Sequence, residues 1–80
     1  MLRLKTEPKV VGTRRLSKAI AENKVKVAFV ASDADLFITR QIGDLCAEHN
    51  VQLIEVPSMK ALGEACSVQV KTAAAGLLKA

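Results

Sequence analysis

Eighty residues with 12 basic and 8 acidic side chains, a net charge of +4 at pH 7, make one small domain, spanning residues 1–80, and leave no length for a linker or a second module. A chain of this size buries about 60–65% of its unfolded surface, so an enclosed catalytic cavity is hard to accommodate and no enzyme is expected. The longest stretch without a charge, Thr72 to Leu78, is far below the roughly 18 apolar residues of a membrane span, and Met1-Leu2-Arg3-Leu4-Lys5 is too charged for a signal peptide, which points to a cytoplasmic protein without membrane contact.

In chain order, residues 1–8 read as a basic arm or a short edge strand ending at Pro8. Lys9-Val10-Val11 is a strand stopped by Gly12. Thr13 supplies an N-cap hydroxyl for a helix to about Asn23, with Leu16, Ala19 and Ile20 on one face. The valine-rich run Val25 to Ala31 has the character of a strand covered on both sides, with Lys26 its only charge. Ser32-Asp33-Ala34-Asp35 is a turn whose Asp35 caps a second helix; Ile38, Ile42, Leu45, Cys46 and His49 form its apolar stripe, and Asn50 ends it. Val51 to Val56 is a strand, and Pro57-Ser58 opens a third helix with Met59, Leu62 and Cys66 on its apolar side. Helices alternating with short buried strands imply an α/β layer fold. The tail Lys71 to Lys79 reads two ways: its alanines favour a helix, yet small residues also suit a strand squeezed between helix layers.

The charge is unevenly placed. Residues 1–26 hold eight basic and two acidic side chains, whereas the other 54 hold four basic and six acidic. A cationic end on a mildly acidic body suits a polyanion. The sharpest local feature is Gly12-Thr13-Arg14-Arg15-Leu16-Ser17-Lys18 at a strand-to-helix junction. A helix start offers free N–H groups and a partial positive charge, which together favour phosphate. Arg14 and Arg15 oppose that dipole at about 0.3–1 kcal/mol each, a cost that a bound anion would offset.

Other chemistry is weaker. Asp33 and Asp35 resemble a Mg²⁺ carboxylate pair, as in a phosphoryl-transfer enzyme, but an Asx turn with a helix cap is the simpler reading. Cys46, His49 and Cys66 offer three zinc ligands where a structural site needs four; His49 is better placed as a partner of a helix C-terminus. Two cysteines are too few for a disulfide scaffold, and both are expected reduced. With no Trp or Tyr, and with Phe29 and Phe37 each inside an apolar segment, no ring is left over to stack an unpaired base. Nucleic acid would then be read through backbone and shape.

The order Gly12-Thr13-x-x-x-x-Lys18-Ala19, Val30-Ala31-Ser32-Asp33-Ala34-Asp35, Leu45-Cys46 to Asn50-Val51, Val56-Pro57-Ser58-Met59-Lys60-x-Leu62-Gly63-Glu64-Ala65-Cys66 and an alanine-rich end resembles the L-seven-Ae superfamily of kink-turn RNA-binding ribosomal proteins, over about residues 9–78. The short bacterial YbxF type is the most similar. This resemblance implies a three-layer α/β/α sandwich with a small mixed four-stranded sheet, and a strand for the tail. It implies structured RNA as the partner, ribosomal RNA with other ribosomal components, and no cofactor or small-molecule substrate. The RNA-binding residues it implies are Gly12, Thr13, Arg14, Arg15, Lys18, Asp35 and Val68. Gly12 and Thr13 would seat the backbone, the three cations would neutralise phosphates, Asp35 would hold its turn and orient Lys18, and Val68 would pack on an unstacked nucleotide. Where the family typically has Asn-Glu after the Gly-x pair, this chain has Arg14-Arg15, which favours phosphates or guanine edges; Ser67 stands where glycine is common, and Lys71 where the short relatives have a smaller residue. A protein-interaction module on the same fold is the alternative.

Overall fold

Every residue of Val25–Ala31 except Lys26 is buried, which requires cover on both faces of the sheet. The computed structural model, which describes residues 8–67 and 71–79, supplies it with β1 (Lys9–Val11), α1 (Thr13–Ala21), β2 (Val25–Ala31), α2 (Leu36–His49), β3 (Gln52–Val56), α3 (Met59–Ala65) and β4 (Ala74–Leu78). The expected arm lies almost wholly outside the described residues.

The four strands form one mixed sheet in the order β1-β4-β2-β3. β4 is antiparallel to both neighbours, with Val10 opposite Gly76 and Phe29 opposite Ala75, while β2 and β3 run parallel, with Phe29 opposite Ile54. The register of β2 on β4 shifts between Val25 and Val27, so the strand's one charged residue falls at the irregularity.

Two apolar clusters cover the sheet. Leu16, Ala19 and Ile20 of α1 and Ile42 and Cys46 of α2 pack with Val25, Ala28, Val30 and Ala74 on one face. Leu62 and Cys66 of the α3 segment pack with Val27, Phe29, Ala31, Val56, Ala75 and Leu77 on the other. The chain is therefore the expected α/β/α sandwich, α1 and α2 on one side and α3 on the other.

The alanine-rich tail is a strand, against its helix propensity. β4 is an inner strand whose Ala74, Ala75, Gly76 and Leu77 are all buried. Only small side chains let helices approach it: a Cβ at Gly76 would lie 2.5 Å from Leu16 Cδ1 and 3.3 Å from the Val27 carbonyl oxygen. Burial between two helix layers here outweighs a preference worth only tenths of a kcal/mol per residue.

Both longer helices end on a left-handed asparagine. Asn23 has φ 59° and Asn50 φ 56°, a conformation asparagine tolerates better than most residues. Lys24 N–H then donates to the Ala19 carbonyl at 2.9 Å and Val51 N–H to the Cys46 carbonyl at 2.8 Å, closing each helix in the six-to-one pattern of a Schellman turn. His49 Nδ1 lies 3.1 Å from Asn23 Oδ1, so the two helix ends are joined side by side. Their N-termini consequently share the opposite end of the molecule.

Candidate nucleic-acid interface

β1, β2 and β3 all finish at that end, and β4 begins there, because β4 alone runs the other way. Crevices outside the carboxyl ends of parallel strands, where successive connections diverge to opposite faces, are the usual ligand sites of layered α/β folds. Here α1 and α2 leave on one face and α3 on the other. The loops are tied together: Gly12 N–H donates to the Ala74 carbonyl at 3.0 Å, Ala31 N–H to Ala73 at 2.9 Å, Ser32 N–H to Val56 at 2.7 Å and Thr72 N–H to Met59 at 3.1 Å.

Gly12, not Thr13, occupies the N-cap of α1. Its φ of 109° with ψ 146° is a backbone region essentially confined to glycine; Thr13 is already helical, so its hydroxyl is not the cap. No side chain caps the helix and no acidic residue lies in its first turn. The first intrahelical bond is Leu16 N–H to the Gly12 carbonyl at 3.0 Å, which leaves the N–H groups of Thr13, Arg14 and Arg15 without an intrahelical partner. Arg14, Arg15 and Lys18 are all exposed around them. Arg15 and Lys18 line an open groove of about 310 Å³ against Val10 and Leu78, whereas Arg14 does not. The two guanidinium groups thus lie on different sides of one helix start.

Asp35 caps α2, its Oδ1 accepting from Phe37 N–H at 2.7 Å. Among the described residues it forms no ion pair with Lys18, and the cap bond holds the turn. Asp33 Oδ1 accepts from Met59 N–H at 2.7 Å, and Ser58 Oγ from Ala61 N–H at 3.0 Å. Each aspartate therefore has a backbone donor as partner, the capping arrangement rather than an open metal pair. Cys46 and Cys66 are free, buried, and packed on opposite faces of the sheet, so they share neither a disulfide nor a metal. Burial raises both thiol pKa values, with Lys9 partly opposing the rise at Cys66.

Val68 lies outside the described residues. Its flanks are defined: Ser67 adopts φ 62°, and Thr72 is 3% exposed, anchored to the start of α3. Thr72, a described residue that follows this segment, therefore sits at the edge where α1 starts.

The expectation that no aromatic ring is left exposed is also overturned. Phe29 is in the core, but Phe37 is 75% and its neighbour Leu36 70% exposed. Phe37 immediately precedes Ile38, and a step of about 100° per residue swings it off the Ile38-Ile42-Cys46 stripe. That spacing is the signal the sequence carries; the apolar neighbourhood masks it.

A model of the ribosomal protein L7Ae/L30e/S12e/Gadd45 family matches residues 2–80. The chain belongs to this family. Among its relatives are the "RNA-binding protein" of Geobacillus thermodenitrificans, 41% identical over 70 residues, 88% of this chain and 85% of that one, and the "RNA-binding protein YbxF" of Geobacillus stearothermophilus, 40% identical over the same shares. Among solved structures, the "15.5kD RNA binding protein" of Giardia lamblia superposes with a TM-score of 0.85 at 28% identity, covering 91% of this chain. This chain spans only 62% of that protein's length. A protein of unknown function from Bacillus halodurans C matches with a TM-score of 0.87 at 20% identity, covering 99% of this chain and 79% of that one, a likeness of fold alone.

Proposed function

We propose that this family member is a non-catalytic RNA-binding protein that engages structured, kink-turn-like RNA, with ribosomal RNA in the cytoplasm as its natural setting. The observation that carries the reading is the helix start of α1: backbone donors without an intrahelical partner, no acidic residue and three exposed cations, set on the edge where Thr72 sits. Thr13, Arg14 and Arg15 N–H groups and the three cationic side chains hold backbone phosphates. Gly12 lets the RNA backbone come close, and Val68 packs on an unstacked nucleotide. Two arginines in place of the family's Asn-Glu shift the balance from base edges towards phosphate and shape. Two relatives named as RNA-binding proteins at 40–41% identity support the class of partner.

A competition titration tests this. Kink-turn RNA, a plain duplex of equal length and a single strand are compared at one salt concentration, with the kink-turn expected to bind most tightly. Equal affinity for all three refutes the shape preference, and no binding at low salt refutes RNA as the partner. Because the chain has neither Trp nor Tyr, carried-over RNA is visible directly as a nuclease-sensitive 260 nm band over almost no 280 nm absorbance.

A further inference from the structure

We propose that Phe37 and Arg40 form a stacking platform for one unpaired nucleotide flanking the structured RNA, an extension of the interface beyond the α1 helix start. The inference rests on the RNA reading above and deepens it.

Phe37 and Arg40 are both exposed, and three residues apart on α2 they share a helix face. With Gln41 and Asp44 they line an open groove of about 390 Å³. An aromatic face beside a guanidinium is the pairing that single-stranded nucleic acid uses, the ring for the base and the cation for its phosphate. Gln41, four residues after Phe37, offers an acceptor for the amino group of a base beside the ring. The helix turn that carries the ring is fixed: the Phe37 backbone N–H is bound by Asp35 Oδ1 at 2.7 Å.

Placement favours RNA over a protein partner. Phe37 is in the first turn of α2, at the molecular end it shares with the first turn of α1. The apolar part of the patch is Leu36 and Phe37, while Arg40, Gln41, Asp44, Ala47 and Glu48 continue it as an exposed, mostly polar helix face. One aromatic side chain covers about 150–250 Å², well below the roughly 800 Å² per partner of a stable protein interface, yet ample for one base.

The test uses a kink-turn RNA with blunt ends and the same RNA with three unpaired adenosines added to either 3′ end, titrated against the parent, Phe37→Ala and Phe37→Trp. In the parent, at least one extended RNA is expected to bind about fivefold or more tighter than the blunt one. The extended-to-blunt ratio falls to one in Phe37→Ala, and the Phe37→Trp indole, the only one in that chain, is quenched by the extended RNA. Blunt RNA bound without a gain from either extension overturns the platform and leaves the function standing. A gain that persists in Phe37→Ala, or a concentration-dependent dimer abolished by Phe37→Ala with no gain in the parent, also overturns it. Failure to bind either RNA overturns both readings.

Discussion

Asp33 Oδ1 and the Met59 backbone N–H, 2.7 Å apart, join the turn after β2 to the first turn of α3, 26 residues further along the chain. Met59 in turn receives Thr72 N–H on its carbonyl at 3.1 Å. Three loops of the proposed RNA edge are thereby held by one residue's backbone.

Asp33→Ala removes this acceptor and leaves a helix-start N–H without its partner. The cost expected is about 1 kcal/mol, seen as a lower urea midpoint at unchanged slope. Asp33→Asn, which keeps a carbonyl oxygen in the same place, should lose less.

Ser67 holds a strained position. A left-handed φ of 62° costs a residue with a Cβ roughly 1–2 kcal/mol, and glycine escapes that penalty. Ser67→Gly is expected to stabilise the protein by about 0.5–1 kcal/mol, raising the thermal midpoint by several degrees. A lower midpoint would show that the serine side chain contributes more than its backbone conformation costs.

The two alanine replacements Gly12→Ala and Gly76→Ala should both destabilise, by about 1–3 kcal/mol, for different reasons. At Gly12 an added Cβ meets nothing within 4 Å, so the cost comes from φ 109° alone. At Gly76 the backbone is ordinary and the clash is with Leu16 and the Val27 carbonyl. Leu16→Ala in the same chain as Gly76→Ala should therefore cost less than the sum of the two separate changes, while Leu16→Ala with Gly12→Ala should come closer to adding.

The buried thiols set an alkaline limit. Their folded pKa values are raised above the ordinary 9.0, so above about that pH the unfolded chain loses protons that the folded chain still holds. The stability they contribute is complete below pH 9 and is lost as pH rises towards the raised folded values. Urea midpoints at pH 7.5 and pH 10 should fall further for the parent than for Cys46→Ala/Cys66→Ala, whatever the latter's baseline.

Much of this is legible from local pattern. The Leu16-Ala19-Ile20 and Ile42-Cys46 faces, the Asp35 and Ser58 caps and the Asn50 stop each depend on residues within a turn or two of one another, and each is found. β4 is ambiguous in sequence because its identity depends on what lies beside it: the same alanines that favour a helix are what two helix layers require of an inner strand, and only the family resemblance chooses between them. The N-cap sits one residue earlier than expected, on Gly12 instead of Thr13, because a backbone conformation available to glycine replaces a side-chain cap. Asp33's partner cannot be read from local pattern at all, being 26 residues away on another element. Phe37 is misleading because its apolar neighbours suggest burial while its helical angle points outward.

The central claim is that the α1 start grips phosphate through Arg14 and Arg15. Measuring kink-turn RNA affinity at salt concentrations between about 50 and 300 mM, for the parent and for Arg14→Ala/Arg15→Ala, tests it most directly. Removing one phosphate–cation pairing should make the log-log slope shallower by about 0.7–0.9, so the double variant is expected to bind more weakly with a slope reduced by about 1.4–1.8. Coincident affinities and parallel slopes would contradict it.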